Sequence, residues 1–416
     1  MALIAKPLRG LFFGLFCVFT LFGTSMTLVG AALPRILSDF RWSYAAAGAV
    51  IAASAAAYFP ASLAAGKVLQ RLGIKATMLL GLALCAFGLA FFAARASFLV
   101  NLVLNALIGA GQGLIEPTVN VSMLKMDEGG SGRPMNLMHG AFAVGAVVGP
   151  LVLGLILATG LTWTIIFRAI ALLFAILAAV LSFLRFSGLD SVRQGTMSRT
   201  EQGGRSALPG RGAAFYLGFV CLLLYVGAEL GISNWIAEYF VRIFAARAAF
   251  ASLTVSLFWI GLLAGRFGVP ALYRGKRPEI LLVGSSLLLV ASTVALCALG
   301  FASGNGAAAG PKGLVAASAL VLPAALTFLS GLGCSIIYPT VMSLVGASCE
   351  GAQAEAISFA AGGGGIGLFA FPFLMSWIAQ GYGIRVGFVT YALIAALTAS
   401  ACAVLAKVFA GARRSA

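Results

Sequence analysis

The feature that most constrains this chain is a succession of apolar runs, each long enough to cross the hydrocarbon core of a bilayer. They lie near residues 11–34, 44–65, 76–94, 98–124, 135–159, 163–184, 213–240, 248–268, 279–301, 314–344, 354–380 and 386–408. A segment that leaves water must satisfy its backbone N–H and C=O groups internally, and runs of this length do so as helices. Barrel strands would be about ten residues long and would alternate apolar with polar positions. With 61% hydrophobic and 9% charged residues and a mean hydropathy of +1.06, the composition excludes a water-soluble domain of this length. The chain therefore reads as an all-α membrane protein with about twelve transmembrane helices.

A second feature divides it. Gly109-x-Gly111-x4-Glu116-Pro117-Thr118-Val119 returns 222 residues later as Gly331-x-Gly333-x4-Tyr338-Pro339-Thr340-Val341. The same offset relates Gly140 to Gly362, Gly145 to Gly367 and Pro150 to Pro372. Between the copies, residues 185–212 break the apolar pattern with Arg, Gly, Ser and Thr, as a linker does. The expected organisation is two pseudo-symmetric six-helix bundles, 1–184 and 213–416, joined by a cytoplasmic linker at 185–212.

The net charge of +16 invites a nucleic-acid reading, but its placement argues for topology. With the N-terminus inside, 19 of the 27 basic residues fall on cytoplasmic segments, including Lys67, Arg71 and Lys75, the linker arginines, and Arg266, Arg274, Lys276 and Arg277. Both termini are then cytoplasmic, in a cell inner membrane, and the basic side chains meet lipid headgroups rather than nucleic acid. The seven cysteines include no CxxC pair. No metal cluster, phosphate loop or nucleophile–base set appears, so no cofactor and no enzyme activity is expected. Arg168, just inside the sixth span, is expected to snorkel outward.

Gly66-Lys67-Val68-Leu69-Gln70-Arg71-Leu72-Gly73-Ile74-Lys75 resembles the G-x-L-A-D-R-x-G-R-K loop of the major facilitator superfamily, matching it at Gly66, Arg71, Gly73 and Lys75 and departing from it at Gln70 and Ile74. Leu114-Ile115-Glu116-Pro117-Thr118-Val119-Asn120 is similar to the fourth span of the fucose:proton symporter family. Met135-Asn136-Leu137-Met138-His139 resembles the start of that family's fifth span, and Tyr225 to Glu229 with Trp235 and Tyr239 its seventh. The resemblance implies the major facilitator fold, with spans one, four, seven and ten lining a central cavity. Fucose permease also has an acidic residue in its first span, and here none lies between Leu11 and Leu33.

Asn101, Asn105, Gly109, Gln112, Glu116 and Asn120 recur every three or four residues and form one polar stripe on the fourth span. A stripe of this kind faces a neighbouring helix or a water-filled cavity rather than lipid. Thr20, Thr24 and Thr27 place hydroxyls on one side of span one. Away from the helix ends, the intramembrane carboxyls are Glu116 and Glu229. An ionised carboxylate in lipid is costly, so a proton becomes an exchangeable ligand, which is the requirement for proton coupling. The candidate proton-coupling residues are Glu116 and Glu229, and the candidate substrate-binding residues are Asn105, Gln112, Asn120, Asn136, His139, Asn234, Trp235 and Tyr338. Amides both donate and accept, and an indole covers the C–H face of a sugar. The expected function is secondary active transport of a small polar solute, a sugar, by alternating access with proton symport in a monomer; sodium is the alternative coupling ion. The alternative function is a proton-coupled efflux antiporter for lipophilic compounds.

Overall fold

The computed structural model describes residues 6–127, 133–186, 189, 212–273, 277–303, 317–348 and 353–415. The linker at 185–212 lies almost wholly outside these residues. In chain order the long helices are α1 (Arg9–Phe40), α2 (Tyr44–Phe91), α3 (Phe98–Met126), α4 (Arg133–Ala158), α5 (Thr164–Phe183), α6 (Ala213–Ile243), α7 (Ala248–Leu272), α8 (Pro278–Ala302), α9 (Ala317–Cys334), α10 (Ile337–Ser348), α11 (Gln353–Tyr382) and α12 (Ile384–Ser415).

Eleven helical stretches among the described residues are long and apolar enough to cross a membrane. One of them, α2, runs for 48 residues, about twice the length a bilayer needs. It is broken at Gly73, whose backbone takes φ 81° and ψ 170°. A φ in this range costs a side-chain-bearing residue steric strain, and glycine pays none. Spans two and three are thus joined by a one-residue kink where the hydropathy pattern suggested a loop. Just past the kink, the Lys75 ammonium donates to the carbonyls of Ser182 and Leu184 at 2.6 and 3.2 Å. It caps the C-terminal end of α5, where a cation complements the exposed carbonyls. The tenth span is divided too, into α9 and α10 by a turn at residues 335–336.

The chain folds into two compact units: Met1–Val29 with Ala49–Gly204, and Gly30–Gly48 with Arg205–Ala416. Each keeps large apolar side chains on its outside, among them Phe183, Leu172 and Leu155 in the first and Phe267, Leu393 and Trp377 in the second. In water such a surface would drive aggregation; against lipid it is the favourable one.

Within the units, the repeated glycines occupy matching positions. A Cβ on Gly109 would lie 2.0 Å from the Ser54 carbonyl oxygen of α2, and one on Gly331 would lie 1.9 Å from the Phe258 carbonyl oxygen of α7. Gly145 of α4 approaches the Thr20 carbonyl of α1 in the same way, at 1.8 Å, and Gly367 of α11 the Leu223 carbonyl of α6 at 2.0 Å. The glycines are 222 residues apart, whereas Ser54 and Phe258 are 204 apart and Thr20 and Leu223 are 203 apart. Less than half of the difference falls in the connection from α8 to α9, 303–316, which is longer than the Phe92–Ser97 connection from α2 to α3; the rest lies in α8, longer than 74–91, and in the part of α9 before Gly331. Backbone contact of this kind lets helices associate in lipid, where hydrophobic burial supplies no driving force.

Arg168 does not snorkel. Its Nη1 donates to the carbonyls of Leu89 and Phe92 at 2.8 and 2.6 Å, closing the C-terminal end of α2. The open carbonyls of a helix end attract a guanidinium more strongly than a distant interface does. Arg168→Met keeps the length of the side chain and removes both bonds. It is expected to cost about 2 kcal/mol, read as a fall of roughly 2–5 °C in the thermal midpoint of the detergent-solubilised protein.

Candidate functional site

The polar stripe of α3 is seated by small residues. Gly109 and Gly113 press on the Ser54 and Tyr58 carbonyls of α2, and Gly111 presses on Gly81 and Cys85 of the span beyond Gly73. So held between two spans of one helix, α3 turns its stripe toward α2 and α1. Asn105 donates from Nδ2 to the Val50 carbonyl at 2.7 Å, and Gln112 donates from Nε2 to Ser25 Oγ at 2.9 Å. Asn101 accepts from the Ala93 amide at 2.7 Å and donates to the carbonyls of Arg95 and Ser97, fixing the turn between α2 and α3. These amides hold helices and turns together.

Further along the stripe the pattern changes. Glu116 Oε2 accepts a hydrogen bond from the Tyr58 hydroxyl. Pro117, next in the helix, lacks the N–H that would bond the Gly113 carbonyl, so α3 is locally open beside the carboxyl. One turn on, Asn120 Oδ1 is buried with no hydrogen-bond partner. Sequence reasoning missed Tyr58. Its one visible signal is that it is the long, hydrogen-bonding side chain after the stretch Ala55-Ala56-Ala57.

The threonines of α1 turn inward to backbone. Thr24 bonds the Thr20 and Gly145 carbonyls at 3.1 Å each, and Thr27 bonds the Ala146 carbonyl at 3.4 Å. Asn136 and His139 lie exposed in the first turns of α4, with the imidazole edge-on to Phe19 at 5.8 Å. They belong to α4, whereas the Glu116 and Tyr58 pair belongs to α3 and α2.

The second unit holds its own polar cluster on α6. Glu229 is buried, 7% exposed, and the Arg266 guanidinium of α7 acts on it electrostatically. Arg266, counted in the sequence among loop charges, lies within α7 and donates from Nε to the Ser335 carbonyl at 3.3 Å. The Tyr225 hydroxyl neighbours Glu229 without a hydrogen bond of ordinary geometry, and its ring lies 6.3 Å from that of Tyr338. Two turns along α6, Trp235 is fully buried, and its Nε1 has no hydrogen-bond partner. Asn234 Oδ1 abuts Gly30 of α1. The structure thus brings Glu229 and Tyr338 into one cluster with Tyr225 and Arg266, and leaves Asn234 and Trp235 in another.

The two carboxyls differ in kind. Glu116 has a neutral phenol for company, and Glu229 lies within reach of a cation. In a membrane helix bundle, a carboxyl held inside each unit marks a candidate functional group in each. Residues 15–323 match the Major Facilitator Superfamily, and the chain belongs to that family of secondary transporters.

The chain is 27% identical over 271 residues to bypass of stop codon protein 6 of Saccharomyces cerevisiae, a match covering 60% of this chain and 54% of that protein. It is 24% identical over 267 residues to a glucose/galactose transporter of Brucella abortus, covering 60% of this chain and 63% of that one. The chain therefore spans less than two thirds of the length of these curated relatives. Among solved structures it is similar to a bacterial homolog of the human lysosomal transporter Spinster, with a TM-score of 0.73 at 12% identity over 98% of both chains. It is also similar to a D-xylose-proton symporter, with a TM-score of 0.67 at 14% identity over 94% of this chain and 96% of that one. These likenesses establish the major facilitator fold.

Proposed function

We propose that this protein carries a small polar solute, a sugar, across the cell inner membrane by alternating access in symport with protons. In this reading the bundles 1–184 and 213–416, joined by 185–212, have both termini in the cytoplasm. The observation that carries the reading is the Glu116 carboxyl bonded to the Tyr58 hydroxyl in the middle of α3, with the unpartnered Asn120 oxygen one turn away. A carboxyl at that depth is costly to keep unless its proton is used. The phenol can donate when Glu116 is ionised and accept when it is protonated, so the pair tolerates both states of a coupling cycle. Glu229 faces Arg266, and its role is to balance that cation inside the bundle.

The sugar assignment draws on the resemblance of spans four, five and seven to the fucose:proton symporter family. It also draws on the glucose/galactose transporter among the relatives and on the amide, indole and phenol groups of Asn120, Asn234, Trp235 and Tyr338. The test is uptake of radiolabelled fucose, glucose, galactose and xylose into proteoliposomes under an inward proton gradient. Accumulation above the external concentration that collapses with a protonophore is the expected result. A second reading, proton-driven efflux of lipophilic compounds, is favoured by one observation. Asn105 and Gln112 are consumed by helix contacts, leaving Glu116 as a lone acid beside an aromatic ring. Failure to accumulate all four sugars, with gradient-driven extrusion of a lipophilic dye, would replace the first reading by the second.

A further inference from the structure

Sequence reasoning passed over Glu238 because it lies five residues from the end of α6. In the structure its side chain is fully buried. Oε1 accepts from Arg242 Nε at 2.8 Å, one turn along the helix, and from the Tyr44 hydroxyl at 3.2 Å. Oε2 is buried with no partner. Tyr44 opens α2, so its partner on α6 is 194 residues away in the chain.

Tyr44 belongs to residues 30–48, the corner where α1 ends and α2 begins, and this corner groups with the second unit while the rest of both helices groups with the first. Its seat has five further parts, one of them the Ala45 amide donating to Gln380 Oε1 of α11 at 3.5 Å. A Cβ on Gly30 would lie 2.7 Å from Asn234 Cα, so backbone meets backbone. The Ala31 carbonyl accepts from Ser252 of α7 at 2.9 Å. The Tyr44 ring is edge-on to Trp235 at 5.9 Å. A Cβ on Gly48 would lie 1.9 Å from Ser376 Oγ of α11. Trp235, Glu238 and Arg242 recur at three and four residues, so one face of α6 carries the contact with Tyr44.

We propose that Glu238 is a latch: through Tyr44 it holds the 30–48 corner closed on α6, and the corner must leave this seat and return in each transport cycle. The chemistry suits a contact that breaks. Arg242, 54% exposed on its side chain, stays with Glu238 on the same helix whether or not the corner is seated, so the carboxyl is never left without a cation. Tyr44 is its only partner from the corner among the described contacts. The orphaned Oε2 lowers the stability of the seated state, because an oxygen that water would satisfy is kept dry. The corner is held by the phenol–carboxyl bond together with the Ser252–Ala31 and Ala45–Gln380 hydrogen bonds, and of these the phenol–carboxyl bond is the one offset by an orphaned carboxyl oxygen, which makes it the bond poised to break. The transport role rests on the alternating-access reading above; the contact and its opening do not.

The test is hydrogen–deuterium exchange of the purified full-length protein in nanodiscs without substrate. Tyr44→Phe removes one hydroxyl and is expected to raise amide exchange in residues 30–48 at least fivefold, while leaving peptides of α3 and α4 unchanged. Glu238→Leu fills the site without charge and is expected to raise exchange in the same segment. The double variant should exceed the larger single effect by less than twofold, since both changes cut one bond. Unchanged exchange in Tyr44→Phe, or a rise spread equally over the chain, would overturn the latch. In proteoliposomes supplied with a transported solute, Tyr44→Phe is expected to alter the turnover rate with KM unchanged. Faster exchange at the corner with unaltered turnover would keep the contact and reject its part in the cycle.

Discussion

Glu116→Gln is expected to lower proton-driven accumulation of solute by on the order of tenfold or more, while exchange of labelled for unlabelled solute across the same membrane continues. The two measurements separate coupling from passage. Glutamine matches glutamate in shape, and its carbonyl can still accept from Tyr58, so the packing of α3 against α2 is retained. What is lost is a group that takes a proton on one side and releases it on the other. Exchange needs no net proton movement and tolerates the loss. Tyr58→Phe makes the complementary change: the carboxyl remains and its donor is removed. One hydrogen bond of about 1–1.4 kcal/mol missing from one state of the cycle is worth roughly fivefold to tenfold in rate, a smaller effect than removing the carboxyl itself. Equal accumulation by wild type and Glu116→Gln would sink the coupling role of Glu116. Loss of accumulation and exchange together would show a folding or solute-binding defect instead.

The spans were legible in the chain because hydropathy alone decides whether a segment enters lipid. The runs at 98–124, 163–184 and 279–301 became Phe98–Met126, Thr164–Phe183 and Pro278–Ala302. Four of their ends lie beside charged residues, Arg95, Asp127, Arg185 and Arg277, and the start at Thr164 and the end at Ala302 lie beside Gly160 and Ser303-Gly304. The kink at Gly73 was hidden, since its flanking residues, including Lys67, Arg71 and Lys75, read as loop by charge and yet fold as helix. The stripe on α3 shows a different limit. Periodicity assigns Asn105, Gln112 and Glu116 to one face, but it cannot say whether the partner is a ligand or the backbone of the next helix. For Asn105 the partner is the Val50 carbonyl.

Glu238 shows the limit most sharply. Its depth in α6 marks an interfacial residue, yet it is fully buried and residues 30–48, from far along the chain, bring the Tyr44 hydroxyl against its carboxyl. A partner brought by a distant segment leaves no local trace in sequence.

The repeat supplies a sharper test than its letters suggest, because glycines related by the same offset do not do the same work. Gly145→Val and Gly367→Val each place a side chain within 2.0 Å of a backbone carbonyl oxygen, on Thr20 and Leu223 respectively. A backbone oxygen in the middle of a helix cannot rotate away, so the helices must part. The cost is expected at or beyond the upper end of overpacking effects, about 3 kcal/mol. Thermal midpoints should fall by roughly 3–7 °C, and a large share of each variant should aggregate in size-exclusion chromatography. Gly362 is also part of the repeat, pairing with Gly140, and it opens a run of four glycines; yet nothing lies within 4 Å of a Cβ built on it. Gly362→Ala should therefore be neutral or should stabilise α11 by about 0.5–1 kcal/mol through helix propensity. A matched loss at 145 and 367 with none at 362 would place the constraint on helix contact. Destabilisation at all three would place it on the flexibility of the helices, and the close-packing account of these glycines would fall.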